Sequence, residues 1–139
     1  MTRNARNPHP HIRQGNVYWL QNCQPLDDDN EKDHPVVLVD DPKTIAAGGP
    51  VIVAVCSTKN RASDPDGIKL PDRSTQPQTK SGLKKPCWAI PRWHFAVERD
   101  RLDEYIGYLT GGVLHRVLRA YEARALPRSP DRTEASPNQ

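Results

Sequence analysis

Hydrophobic residues come along this chain in short packets separated by turn-forming residues, and only near the end does their spacing become helical. Residues 15–20 open the series, where Val17, Tyr18, Trp19 and Leu20 are strong strand formers. The unbroken run Val36-Val37-Leu38-Val39 predicts a second strand over 35–39, buried on both faces and entered by Pro35, whose missing N–H is tolerated at a first position. A third strand over 51–56 has the same two-sided apolar character, with Ser57 and Thr58 at its exit. Shorter strands are predicted over 67–70, 87–90 and 93–97, the last two parted by Pro91-Arg92. Between them lie an acidic loop over 21–33, a Gly/Pro-rich loop over 41–50 and a polar loop over 71–80, the last expected to be mobile. From Thr110, a plausible N-cap, the residues Val113, Leu114, Val117, Leu118 and Tyr121 recur at helical spacing. A shorter helix is predicted over 102–109. The pattern is that of a mainly β chain with a C-terminal α-helix, and short strands of this kind suit a small barrel.

Composition narrows the picture. The chain has 139 residues, 35% hydrophobic and 27% charged, which fits a single modest core. The apolar residues crowd between Val17 and Leu126, so the expected organisation is a flexible tail over 1–14, one domain over 15–126 and a disordered tail over 127–139. Cys23, Cys56 and Cys87 are odd in number and lack a CxxC spacing, so a full disulfide framework is excluded and free thiols are expected. Pro8-His9-Pro10-His11 is read as a solvated tail rather than a metal site. No apolar run reaches membrane-spanning length and no secretory leader is visible, so a cytoplasmic protein is expected. A net charge of +3 permits a nucleic-acid partner without requiring one.

The ordered motifs say more. Gly15-x-Val17-Tyr18-Trp19 precedes Pro35-Val36-Val37-Leu38-Val39, then Val51-Ile52-Val53-x-Val55-Cys56-Ser57-Thr58. Ser81-Gly82-Leu83-Lys84-Lys85, Ile106-Gly107-x-Leu109-Thr110 and the closing amphipathic segment follow. This set resembles the MazF/PemK/Kid toxins. The resemblance implies an SH3-like small β-barrel of the plasmid-maintenance toxin type, paired as a homodimer. It implies a toxin that cuts single-stranded RNA without metal or other cofactor and is neutralised by an antitoxin peptide.

Metal-free RNA cleavage needs a base for the ribose 2′-hydroxyl, an acid for the departing 5′-oxygen and a donor that steadies the five-coordinate phosphate. In the family the usual pair is an Arg directly before the Pro of the second strand and a Thr at the exit of the third. Here those positions hold His34 and Ser57, followed by Thr58. Serine keeps the hydroxyl. Histidine exchanges a permanent charge with bidentate reach for a proton-shuttling imidazole. The Arg-x-Asp pair that some relatives carry is absent from Cys87-Trp88-Ala89. Candidate RNA contacts are Trp19 for stacking and Lys59, Lys84, Lys85 and Arg92 for phosphate, with Lys80 at the end of the polar loop. The rival reading is a catalytically altered MazF/CcdB-like module that binds RNA, antitoxin or gyrase.

Overall fold

Alternating and continuous apolar runs set the strands, and their pairing sets the rest. The computed structural model describes residues 12–23, 32–59 and 63–125; the tails over 1–11 and 127–139, the Pro-His repeat and most of the acidic loop lie outside them. Six strands form: β1 (Asn16–Cys23), β2 (Lys32–Leu38), β3 (Val51–Ser57), β4 (Ile68–Leu70), β5 (Cys87–Val97) and β6 (Leu102–Tyr108). Their order is β4-β5-β3-β2-β1-β6, every pairing is antiparallel, and the sheet is rolled into a half-barrel. Two helices complete the set, α1 (Pro42–Ala47) and α2 (Gly111–Ala125). Among the described residues no helix is long and apolar enough to cross a membrane.

The two-sided burial expected of β2 and β3 is present. Val36, Leu38, Val53 and Val55 join Tyr18, Trp88, Trp93 and Leu102 in one core. Val37, Val39, Ala54 and Cys56 face the opposite way, into a second core covered by α2. Helix α2 contributes Val117, fully buried, with Val113, Leu114, Leu118 and Tyr121 packed around it, all on the predicted stripe. Thr110 stands directly before the first helical residue. The folded part begins before Gly15, because Ile12 packs against the first core. Gly15 itself adopts φ +96° where a Cβ would press on Leu114, so strand entry and helix meet there over a bare backbone.

Five expectations need correction. β2 starts at Lys32, so Pro35 lies inside the strand, paired with Trp19, rather than entering it. Residues 102–108 form a strand, not a helix. Tyr105, Ile106 and Tyr108 favour extended backbone, and Gly107 pairs with Val17 while touching the backbone of Lys80 and Ser81, where no side chain fits. Residues 87–97 form one strand. Register shifts between Ala54 and Cys56, so the extra residues around Pro91 are absorbed as a bulge, where a proline costs no ladder bond. Residues 42–47 form a helix inside the predicted loop. The Asp41 carboxylate accepts from the Thr44 N–H at 2.9 Å and Pro42 sits in the first turn.

The polar loop over 71–80 is tied down rather than mobile. The fully buried Asp72 accepts from the hydroxyls of Ser74 and Thr75 and from the Ser74 N–H. Those bonds, the Ser74 hydroxyl first, hold its carboxyl below the usual range despite burial. The Ser81 hydroxyl donates to Pro71 O at 2.7 Å and accepts from the Leu83 N–H. Tyr108 N–H donates to Lys80 O at 2.9 Å, so the segment 80–82 lies along the outer edge of β6.

Candidate functional site

The β2–β3 register pairs Val36 with Val55 and Leu38 with Val53. Continued along the same face, it sets His34 across from Ser57. Both follow their neighbours into the first core, and each is only 2% exposed. His34 Nδ1 lies 2.9 Å from Cys56 O. A carbonyl only accepts, so Nδ1 carries a proton and donates it to that bond. The imidazole thereby clamps the end of β3 to the start of β2. The Ser57 hydroxyl accepts from the Lys59 N–H at 3.1 Å, a bond that shapes the strand exit.

Alternation turns Pro35 and Thr58 to the opposite face, and there a groove opens. Its cavity is about 410 Å³ and its walls include Trp19, Pro35, Thr58, Arg73, Lys84 and Lys85; Glu104 and Tyr105 of β6 border it too, the Tyr105 ring resting edge-on against Tyr18 at 5.7 Å between centroids. The predicted residues Trp19, Thr58, Lys84 and Lys85 are thus brought together. Trp88 and Trp93 are core residues. His34 and Ser57 stand one residue from the groove wall without lining it. Lys59 is exposed at the strand exit.

Arg92 is placed elsewhere. Its guanidinium makes a bidentate pair with Asp64, both contacts at 2.9 Å, and lies 5.7 Å from the Trp93 ring centroid. Its backbone N–H, which the β5 bulge removes from the ladder, donates to Asp66 at 2.9 Å. Asp66 also accepts from Arg124 of α2 at 2.8 Å.

Sequence reasoning missed three groove residues: Arg73, Glu104 and Tyr105. Arg73 was hidden in the polar loop and the other two in a segment read as helix. No alternation marks that segment: Leu102, Tyr105, Ile106 and Leu109 fall at helical spacing, and only the pairing of residues 102–108 with β1 makes it a strand. Cys87 also borders the groove, but it is 1% exposed. Burial pushes its thiol up to about 11, nearby Asp72 adds to this and Lys85 opposes it. It is no thiolate nucleophile at neutral pH.

A groove with one carboxylate, the exposed hydroxyls of Thr58 and Tyr105, clustered cations and two aromatic rings suits a flexible polyanion with stackable bases. A model of the PemK-like, MazF-like toxins of type II toxin-antitoxin systems matches residues 13–123. The chain belongs to this toxin family. Among solved structures, the Mycobacterium tuberculosis toxin MazF-mt6 is similar at 19% identity and TM-score 0.56, over 78% of this chain and 94% of that one. An endoribonuclease from a mycobacterial species, solved in complex with its cognate antitoxin, gives 15% identity and TM-score 0.62, over 86% of this chain and all of its own. A further mycobacterial endoribonuclease gives the same identity and TM-score, over 88% of this chain. Identities this low speak for the fold of the MazF-like toxin. A search of curated proteins gives no match.

Proposed function

We propose that this MazF-like toxin is an endoribonuclease that cleaves single-stranded RNA by metal-independent attack of the ribose 2′-hydroxyl. The observation that carries the reading is the groove that gathers Thr58, Arg73, Lys84 and Lys85 together with Glu104. Cations there neutralise the phosphate as it becomes five-coordinate, and the Thr58 hydroxyl donates to a phosphate oxygen. Glu104 is the carboxylate bordering the groove and takes the 2′-hydroxyl proton; the 2′-oxygen bonds to phosphorus as the bond to the 5′-oxygen breaks, and that oxygen takes a proton from water held by Lys84 and Lys85. Trp19 and Tyr105 stack on bases. His34, with Ser57, acts as a positioning residue: its bond to Cys56 O fixes the exit from which Thr58 enters the groove. The partners of this reading are a cognate antitoxin peptide, of the kind that one structural neighbour was solved with, and a second copy of the chain, with the cytoplasm as its place of action.

The purified protein should cleave mixed-sequence RNA in EDTA, leaving 2′,3′-cyclic phosphate and 5′-hydroxyl ends. Cleavage only after metal is added would sink the mechanism. The burial of His34 and Ser57 favours one rival, a module that binds RNA without cutting it. Tight binding with intact RNA recovered after long incubation would select that rival.

A further inference from the structure

The groove does not end at Arg73. A shallow depression lined by Arg73, Gln78, Thr79 and Lys80 shares Arg73 and Gly82 with it. The same Gln78, Thr79 and Lys80 form one wall of a further cavity of about 490 Å³, whose other walls include Tyr108, Thr110 and Arg116 at the start of α2. The three hollows are linked through shared residues of the 73–82 segment, and the last of them reaches α2.

We propose that these hollows form one continuous track, along which single-stranded RNA runs from the Thr58 groove across the 78–80 ridge to the cavity beside α2. This deepens, and rests on, the endoribonuclease reading above. Three observations support it. The first is charge: Lys84, Lys85, Arg73, Lys80 and Arg116 are spaced along the track, and Glu104 is its one acid among the described residues. Lys69 also borders the far cavity, but its ammonium sits 5.9 Å over the Trp88 ring, so it is left out of the contact set.

The second is aromatic exposure. Tyr105 at 44% and Tyr108 at 39% are the exposed large hydrophobics among the described residues, and each borders one end of the track. They are separated by roughly 10 Å of strand. Exposed rings beside cations are how proteins hold single strands without reading sequence. The third is rigidity of the ridge. Lys80 O accepts from Tyr108 N–H, and a Cβ on Gly82 would come within 2.1 Å of Ile106 O. The ridge is therefore fixed to β6 before any ligand arrives, which lowers the ordering cost of binding. The amide and hydroxyl side chains of Gln76, Gln78, Thr79 and Thr110 supply further phosphate donors without base selectivity.

The test uses fluorescein-labelled 2′-O-methyl RNA of mixed sequence, five or fifteen nucleotides long, bound to the full chain and to the variants Lys80→Gln/Arg116→Gln and Tyr108→Ala. All three residues are exposed, and unchanged melting curves confirm folding. The double variant should bind the fifteen-mer about tenfold more weakly near physiological salt, and its log–log salt slope should fall by roughly 1.4, about 0.7 per lost phosphate contact. Tyr108→Ala should weaken fifteen-mer binding several-fold at an unchanged salt slope. Five-mer binding, and cleavage of an unmodified five-mer, should match wild type. A fifteen-mer held equally by wild type and double variant, with five-mer cleavage intact, overturns the track and leaves the enzyme reading standing. A loss confined to a fifteen-residue poly-glutamate peptide also overturns it, in favour of an acidic protein partner. Wild type that binds neither RNA overturns the endoribonuclease reading itself, and the track with it.

Discussion

At the scale of single residues, two side chains compete for the proton-transfer role, and their surroundings separate them. Glu104 lines the groove, whereas His34 is buried with Nδ1–H committed to Cys56 O. Glu104→Gln keeps the shape and removes the base, so cleavage should drop about 10²-fold while RNA affinity holds or rises. His34→Gln retains a donor that can reach Cys56 O, so it should cut RNA within a few-fold of wild type. His34→Ala leaves that carbonyl without the imidazole and opens a cavity. It should cost about 1–3 kcal/mol of stability and blunt the rate through misplacement of Thr58. Single-turnover rates and urea midpoints of the three variants decide the matter. If His34→Gln falls as far as Glu104→Gln, the imidazole itself moves the proton. The sequence placed Ser57 correctly at a strand end, whereas His34 lies inside β2 rather than before it, and a one-residue alternation turned both inward and gave the groove to Pro35 and Thr58. That alternation is a property of pairing register, and the register of β2 on β3 is a three-dimensional fact.

At the scale of elements, the β5 bulge and its keystone explain both what was legible and what was not. The strands β1, β2 and β3 and the stripe of α2 could be read directly, because their apolar residues are continuous or helically spaced. Proline obscured the rest. Pro91 reads as a break, yet β5 runs through it because the bulge needs no N–H there, and Asp66 satisfies the freed Arg92 N–H. Asp41-Pro42 reads as loop beside Gly48-Gly49, yet the aspartate caps a helix. Asp66 ties the bulge to the C-terminal end of α2 through Arg124 and is 6% exposed. Asp66→Ala should therefore destabilise the fold by about 2–3 kcal/mol. This is less than the roughly 3–5 kcal/mol of a wholly buried pair, because Arg92 and Arg124 keep water contact. For a domain of this size that is a fall in Tm of roughly 10 °C. Circular dichroism melts should show it, with Asp66→Asn falling less because it keeps an acceptor. An Asp66→Ala Tm within 2–3 °C (about 0.5 kcal/mol) of wild type would show the network to be decorative.

At the scale of the whole molecule, the sheet has a core on each side, and the groove is assembled at its margin from β1, β2, the exit of β3, the 72–86 segment and β6. No local motif holds such a site, which is why Lys84 and Lys85 were legible one by one but Arg73, and the convergence of the three, were not. The same layering buries two free thiols, Cys56 and Cys87, in the core beneath α2. Burial pushes the Cys56 thiol well up, with Cys87 adding to it, and brings Cys87 to about 11. In the unfolded chain a thiol ionises at about 8.5. The folded state therefore holds its protons more tightly, so the thiols' contribution to stability is fully present below about 8.5 and is lost as pH rises towards 11. Urea midpoints of a Cys23→Ser background should fall between pH 8.5 and 10.5. In Cys56→Ala/Cys87→Ala built on that background, the fall should be shallower. Below pH 8 the two thiols should react with a disulfide reagent only as fast as the protein opens, because a buried neutral thiol is neither accessible nor nucleophilic. Equal alkaline slopes in the two proteins, or immediate labelling of two thiols at pH 7, would mean that the helix-covered core is open to solvent and that the groove beside it has a softer wall than the packing of Leu83, Cys87 and Val117 describes.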